Sequence, residues 1–265
     1  MRLDERTAAR TVLVDGIRLS AGTLTAVPVP APSSVDGRVG RVAMLVAPVA
    51  VLPLGFAVGV IGWAGIAMEL PASVVAVVAV VALVLGNRCF HLDGLADSAD
   101  GLSASYERER ALEIMHRGDT GPAGVAATVL VLALQITALA TVIVRPHGWI
   151  LAGIAVCCSR GVLALACHRR VPAARRSGLA SSVAATVPTV PSVVVGLMVA
   201  ALMAAGLCAT GQPWWQGVAA VVAASSCVVV FVRRCVRRLG GVTGDVLGAC
   251  IELALAVLLA VSAAG

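Results

Sequence analysis

The sequence predicts an all-α polytopic membrane protein, a helical bundle with about seven transmembrane helices and a cytoplasmic N-terminus. The 265 residues have a mean hydropathy of +0.98, and only 13% of them are charged. That composition is typical of membrane proteins rather than of soluble domains. Long apolar runs follow one another, each near the ~20 residues that cross a bilayer. They lie at 42–67, 72–90, 122–144, 149–167, 188–209, 214–232 and 246–263.

The arginines between these runs predict the orientation. The chain contains no lysine, so its excess positive charge is entirely arginine. With the N-terminus inside, every one of the 20 arginines except Arg145 and Arg160 lies in a cytoplasmic segment. Cytoplasmic loops are enriched in arginine, so the pattern predicts a cytoplasmic N-terminus and an external C-terminus. Because the basic residues report topology, we expect no nucleic-acid partner.

Taken in order, the segments differ in character. Residues 1–41 are polar to amphipathic and contain the proline-rich VPVPAP, which predicts a cytoplasmic or interfacial segment before a transmembrane catalytic domain at 42–265. The second run is unusual, because its apolar part covers only 72–86. A full crossing would need 87–90 to lie in the inner half of the membrane. The eight cysteines show no metal-ligand spacing, and we expect them to be free.

The stretch 86–121 carries the strongest local signal for function. Asp93, Asp97 and Asp100 are spaced i, i+4, i+7, which places three carboxylates on one helix face. Like charges repel, and divalent cations between them would remove the repulsion; hard oxygen ligands suit Mg²⁺ or Mn²⁺. Gly94 would let a substrate phosphate or another backbone approach closely. The ordinary alternative is a solvated acidic helix end.

A second acidic pair lies on the last run. Asp245 and Glu252 are spaced i, i+7 after the Gly-rich LGGVTGD, in which the amide region at Gly241 is suited to phosphate. A glutamate within a span is a functional candidate, unless it is protonated or paired with Arg160. Arg160 itself needs an anion, either an acidic side chain of the last run or a substrate phosphate.

Three further polar residues precede the aspartates, and one follows them. His91 is a candidate general base, a hydrogen-bond donor or an interfacial side chain. Asn87 and Arg88 are candidate substrate contacts. Asp119 follows a short amphipathic helix predicted within 108–124 and is a further polar candidate.

These residues lie in segments that resemble the cobalamin synthase family, the adenosylcobinamide-GDP ribazoletransferases. The segments are GNRCFHLDGLADSADGL, ALEIMHRGDTGPAG, SRG and LGGVTGDVLGACIEL, in the family's order. HLDGLAD-x-x-DG and the Gly-rich entry to the last run are the most specific. The chain departs from the family's Asp-Ser-Arg-like triplet at 116–119, where it reads HRGD.

The resemblance implies a Mg²⁺-dependent, multi-pass enzyme of a prokaryotic plasma membrane, with its active site facing the cytoplasm, acting late in cobalamin biosynthesis. A ribose hydroxyl of α-ribazole, or of its 5′-phosphate, would attack the cobinamide-proximal phosphorus of adenosylcobinamide-GDP. GMP would leave, and adenosylcobalamin or its 5′-phosphate would form.

The chemistry of that reaction agrees with the residues. Cleaving a pyrophosphate requires charge neutralisation, which carboxylate-held metals supply. We predict Asp93, Asp97, Asp100 and Asp245 as metal ligands, with Asp100 as the alternative general base. His91 is the other candidate catalytic side chain. The predicted substrate contacts are Asn87, Arg88, Arg160, Gly94, Gly241, Glu252 and Asp119.

Two other functions remain as alternatives at this point. A CDP-alcohol-type lipid phosphotransferase would carry DGxxAR, where this chain has Ala96-Asp97. A transporter with acidic residues along an ion path would favour repeated halves with broken spans, and no internal repeat is evident. Membrane lipid is an expected partner, and a homo-oligomer is compatible with the sequence.

Overall fold

The computed structural model describes residues 2–264, with side chains from Ala9 onward. Over this range the chain is helical throughout, with short connections and no β-strand, so the predicted all-α fold is confirmed. The helices are α1 (Arg2–Leu24), α2 (Gly37–Ala50), α3 (Leu52–Ala67), α4 (Ala72–Gly86), α5 (Phe90–Ala104), α6 (Arg108–Ile114), α7 (Pro122–Ile143), α8 (Gly148–Ser159), α9 (Val162–Ala166), α10 (Leu179–Val183), α11 (Thr189–Ala209), α12 (Trp214–Leu239) and α13 (Gly244–Ala263).

Six helical segments of the described chain are long and apolar enough to cross a membrane, and a seventh results if α4 and α5 count as one span. The prediction of about seven spans is therefore confirmed. The six are Gly37–Ala67, Pro122–Ile143, Gly148–Ala166, Thr189–Ala209, Trp214–Leu239 and Gly244–Ala263. The first begins where Asp36 caps α2 by accepting from the amides of Arg38 and Val39. The predicted boundary between 1–41 and 42–265 thus lies inside α2.

The second apolar run is not one straight span. Helix α4 ends at Gly86, and α5 leaves it at an angle of 87°. Arg88 and Cys89 both have left-handed backbone angles, with φ of 60° and 61°. An α-helix of L-residues cannot continue through that conformation. The prediction of a continuous span over 72–90 is therefore wrong in its last residues.

Helix α1 packs along α2 and reaches the corner between α4 and α5. The amide of Ala26, just after α1, donates to the carbonyl of Gly86 at 2.6 Å, and Arg88 donates to the carbonyl of Gly22. The N-terminal segment is therefore tied to the corner from which the acidic helix α5 starts.

Helix α13 forms the centre of the bundle and packs against α5, α7, α8 and α12. Most of its side chains are buried. Its C-terminal carbonyls accept hydrogen bonds from Arg145 and from Gln216, which satisfies groups that an α-helix end otherwise leaves unpaired. Its N-terminus lies at the opposite end of the bundle, beside α5.

Candidate active site

The site forms where α5 crosses α13 at close range. A Cβ at Gly94 would lie 2.6 Å from the carbonyl oxygen of Asp245 and 2.8 Å from its Cα. A Cβ at Gly248 would lie 3.1 Å from Cα of His91, a looser approach than at Gly94. Of the two uses predicted for Gly94, approach by another backbone is the one that the structure supports. The crossing brings the acidic start of α13 beside the acidic face of α5.

A polar cavity of about 390 Å³ opens at this crossing. Asp93 is exposed, and Asp97 and Asp245 are partly buried. The negative charges of Asp93, Asp245 and Asp100 act on Asp97, and so does the positive charge of Arg175. The polar and charged side chains that line the polar cavity are Asp93, Asp97, His116, Arg175, Ser177, Thr243 and Asp245, and the Thr243 hydroxyl donates to Asp245 at 3.1 Å. The predicted convergence of the two acidic groups is thus present, with Asp100 near enough to act on Asp97 but outside the cavity lining.

A second, mainly apolar cavity of about 320 Å³ adjoins the first. Asp93, Leu179, Gly244 and Asp245 line both cavities. The apolar cavity extends from this shared wall toward the last turn of α1. Its larger apolar residues are Leu24, Met44, Phe90, Leu163, Leu179, Leu247 and Ile251.

Two arginines, one at the start of α6 and one in the loop after α9, fix the segment that lies against the polar cavity. Arg108 donates to the carbonyl of Ala174 at 2.9 Å, and Arg175 donates to the carbonyl of Leu112. The segment at 172–174 also forms backbone hydrogen bonds with Val242. These contacts hold the guanidinium of Arg175 at the rim of the cavity.

Asp100 has a different environment from the other two aspartates of α5. It is 6% exposed and accepts the backbone N–H groups of Gly121 and Gly124 at 2.7 and 2.8 Å. Both donors lie at the N-terminus of α7, where unpaired amides and the helix dipole favour a carboxylate. Asp100 lines neither cavity. The structure therefore shows an anchoring contact for Asp100, and the cavity linings give no support to its predicted metal-ligand or base role.

A layer of buried polar side chains lies beside the apolar cavity. Glu252 accepts a hydrogen bond from Gln135 at 2.8 Å, and its other oxygen lies 3.7 Å from Nδ1 of His91. Arg160 is fully buried and donates to the Val156 carbonyl and the Ser159 hydroxyl, each at 2.9 Å.

The charge of Glu252 acts on Arg160, but among the described residues the two form no ion pair within 4 Å. Neither side chain lines the two cavities. The phosphate contact predicted for Arg160 and the substrate contact predicted for Glu252 therefore stay predictions. The predicted Arg160–Glu252 pairing is present only as longer-range attraction.

Residues 16–263 match the family model described as cobalamin-5-phosphate synthase. The chain belongs to this family. The resemblance inferred from the sequence motifs is confirmed, and the match covers the bundle, both cavities and the last turn of α1.

Named relatives of the cobalamin-5-phosphate synthase family are similar to the chain over most of their length. The adenosylcobinamide-GDP ribazoletransferase of Nocardioides sp. (strain ATCC BAA-499 / JS614) is 48% identical over 245 residues, which is 92% of this chain and 96% of the relative. The enzyme of that name from Frankia casuarinae is 38% identical over 253 residues, 91% of each chain. The one from Escherichia coli (strain K12) is 38% identical over 190 residues, 71% of this chain and 74% of the relative. No solved structure matches the chain.

Of the three remaining residues predicted to contact substrate, one lines a cavity and two do not. Arg88 lines the apolar cavity and stacks on Phe90, with its guanidinium carbon 4.5 Å from the ring centre. Asn87 is buried at the α4–α5 corner, outside both cavity linings. The nitrogen and oxygen of its side-chain amide have no hydrogen-bond partner. Asp119 is exposed in the loop after α6 and lines neither cavity.

Gly241 has a packing explanation. A Cβ there would clash with the backbone of 172–174, first with the Pro172 carbonyl oxygen and then with the Ala173 carbonyl carbon at 2.5 Å. The glycine therefore allows that segment to lie against the start of α13. It lines neither cavity, so the structure gives no support to its predicted phosphate contact.

Sequence reasoning missed Arg175, which lines the polar cavity, and three residues that bond the predicted acidic side chains. Gly121 and Gly124 bond Asp100, and Gln135 bonds Glu252. A glutamine within an apolar run was a usable signal, since such a side chain needs a buried partner. The two glycines stood in the quoted GDTGPAG, but nothing local shows that they meet a carboxylate more than twenty residues away.

Proposed function

We propose that the chain transfers the cobinamide phosphate of adenosylcobinamide-GDP to α-ribazole, or to α-ribazole 5′-phosphate. The observation that carries the proposal is the meeting of Asp93, Asp97, Asp245 and Arg175 around one cavity, in a chain of the cobalamin-5-phosphate synthase family. The relatives' names describe this transfer. Family membership also removes the reason for the alternatives of a lipid phosphotransferase and a transporter.

The proposed reaction balances as a displacement at phosphorus. The acceptor's hydroxyl oxygen forms a bond to the phosphorus that carries cobinamide. The bond from that phosphorus to the bridging oxygen breaks, and GMP leaves with the electron pair. The hydroxyl proton passes to a carboxylate oxygen of the cavity wall, which takes the general-base role first predicted for Asp100.

The donor set fits a divalent cation, for which Mg²⁺ is our proposal and Mn²⁺ a substitute. Among the described residues, no three His, Cys, Asp or Glu side chains form a ready-made metal site. Mg²⁺ is usually held by one or two carboxylates together with substrate phosphates, so a complete protein cage is not required. Asp93, Asp97 and Asp245 are the residues that would hold it. When bound, the cation neutralises charge on the pyrophosphate.

The protein's own groups supply position and further charge. Arg175 at the cavity rim is suited to a phosphate oxygen, since guanidinium pairs well with phosphate. Asp100 fixes α5 against α7 and so fixes the direction of Asp93 and Asp97. The cavity opens at the end of the bundle where the arginine-rich connections lie. By the positive-inside rule, we propose a plasma-membrane enzyme whose site faces the cytoplasm.

The experiment is GMP release by the purified full chain in detergent, with adenosylcobinamide-GDP, Mg²⁺ and either acceptor. We expect GMP and the joined cobalamin product in equal amounts, with loss of both when EDTA removes the metal. Comparing kcat/KM for α-ribazole and its 5′-phosphate identifies the acceptor. Absence of GMP release with every acceptor and metal would contradict the proposal.

A further inference from the structure

We infer that a groove lined by residues 165–171 and 228–237 binds an anionic phospholipid. This α9–α12 groove has a volume of about 390 Å³ and shares no lining residue with the two cavities of the candidate active site. The lipid phosphate lies among three arginines, and an acyl chain follows the apolar wall beside them. The inference concerns a site that the proposed reaction does not use.

The groove lies at the depth where α12 leaves the apolar part of the bundle. From Trp214 to Val232 the helix carries no charged residue. This stretch is about 27 Å long by the helical rise per residue, close to the ~30 Å thickness of a bilayer's hydrocarbon core. Arg233 and Arg237 follow directly, so their guanidinium groups lie at the level of the lipid headgroups.

The basic end of the groove lacks a counter-charge. Arg233 and Arg237 are four residues apart on one helix face, where like charges repel, and Arg170 lies opposite them. Within the part of the chain whose side chains the structure describes, no acidic residue lines the groove, and none of the three guanidinium groups has a hydrogen bond or ion pair. A phosphate among them would supply the missing anion, since guanidinium pairs well with phosphate.

The other end of the groove is apolar and points toward the middle of the bundle. Val228, Val229 and Val232 form its wall on α12, and Leu165 faces them from α9. Leu165 also lines an apolar cavity of about 160 Å³, which continues along α12 as far as Val221. A free anion would leave this wall without a partner. A phospholipid carries its acyl chain directly below its phosphate and fills both ends.

The apolar wall also favours a lipid over an acidic segment of another protein. Such a segment could pair with the arginines, but its backbone polar groups would meet the valines at membrane depth without hydrogen-bond partners, which is costly. Basic pockets between membrane helices on the cytoplasmic side are suited to anionic lipid headgroups. The positive-inside orientation proposed above places the groove on that side.

The groove and the polar cavity share one loop. Arg170 and Val171 line the groove, and Arg175 of the same loop lines the polar cavity. A lipid in the groove would therefore restrain the loop at 168–176. This restraint gives a second readout that locates the site along the chain.

The first test measures lipid retention by the purified full chain, using native mass spectrometry in detergent. The probes are phosphatidylglycerol and phosphatidylcholine with identical acyl chains, because the choline cation of the second cancels the phosphate charge. We expect the wild type to retain phosphatidylglycerol roughly tenfold better. In Arg170→Gln/Arg233→Gln this preference should fall to about twofold or less, since each arginine contributes to binding the anion.

The matched control is Arg169→Gln/Arg234→Gln. These arginines are the chain neighbours of the tested pair, are exposed and lie outside the groove lining. The control removes the same net charge and should keep the tenfold preference. Equal losses in the two double variants would show that the arginines act only through net charge or topology, and would overturn the inference. So would equal retention of both lipids by the wild type.

The second test separates the lipid from a free anion and locates it. Excess inorganic phosphate should leave bound phosphatidylglycerol in place; displacement would mean that the groove takes a free anion. Adding phosphatidylglycerol should slow amide hydrogen exchange at 168–176 in the wild type and the control, but not in Arg170→Gln/Arg233→Gln. Protection confined to other segments would overturn the location. Neither readout depends on GMP release, so failure of the proposed function would leave this inference standing.

Discussion

At the start of α5, Asp93 and Asp97 face a cavity with Asp245 and Arg175, whereas at its end Asp100 is enclosed by the amides of α7. The residue type and the helical spacing are the same in both halves. What differs is the group that each carboxylate meets. Carboxylates that meet mainly other carboxylates remain available for a cation, and one that meets two backbone amides is an anchor.

The largest effect is expected in the first half of α5, where a substitution should lower activity without lowering stability. Asp97→Asn should lower kcat at least about 100-fold, because charge neutralisation by a held cation contributes several kcal/mol. Its melting temperature should stay equal or rise, since a like charge is removed. Glu109→Gln, at an exposed acidic residue of α6 outside both cavities, is the control and should keep full activity. Comparable losses in both variants would contradict this division.

In the second half of α5, a substitution at Asp100 should mainly lower stability. Asp100→Ala removes an acceptor of two hydrogen bonds, and we expect the free energy of unfolding to fall by about 3 kcal/mol. Hydrogen exchange should increase first at the start of α7, around Gly121 and Gly124. Wild-type stability combined with a loss of activity like that of Asp97→Asn would make Asp100 a base or ligand after all.

A smaller effect is expected at the crossing that brings the acidic groups together. Gly94→Ala places a Cβ 2.6 Å from the Asp245 carbonyl oxygen, and overpacking of this kind costs about 1–3 kcal/mol. Because α5 and α13 must separate, kcat should fall as well. Gly196→Ala on α11 is the control, since its Cβ would meet nothing within 4 Å. Equal behaviour of the two alanine variants would show that the crossing is not tight.

The smallest effect concerns the N-terminal segment. Hydrogen bonds from the Ser33 hydroxyl and amide lower the pKa of Asp15 from its usual 3.8. A lowered pKa stabilises the fold above the usual value, and this contribution is lost as the pH falls through the folded-state pKa. Asp15→Asn should therefore reduce the difference in melting temperature between pH 7 and pH 3. An unchanged difference would show that Asp15 does not hold α1 in place.

The sequence predicted the parts of the molecule that depend on composition and short spacing. The spans follow from apolar runs, and the meeting of Asp93 and Asp97 with Asp245 follows from two acidic helix starts at one membrane face. The corner after Gly86 was beyond such reasoning, because apolar periodicity does not reveal two left-handed residues in succession. The anchoring of Asp100 depends on Gly124, whose position is set by the fold.

Arg160 shows a further limit. The sequence required an anion for a buried guanidinium and offered Glu252 or a phosphate. In the fold, neutral oxygens of Val156 and Ser159 are its direct partners, and the anion acts from further away. The sequence shows that the charge of buried Arg160 needs a nearby anion, but the distance to that anion depends on how the helices pack.

The most direct test of the account is a double-mutant cycle between Asp97→Asn and Asp245→Asn, with GMP release as the measurement. If both carboxylates serve one cation in one cavity, the activity of the double variant should be little lower than that of the less active single variant. Losses that multiply would mean that the two aspartates act independently, and the shared site at the crossing of α5 and α13 would be contradicted.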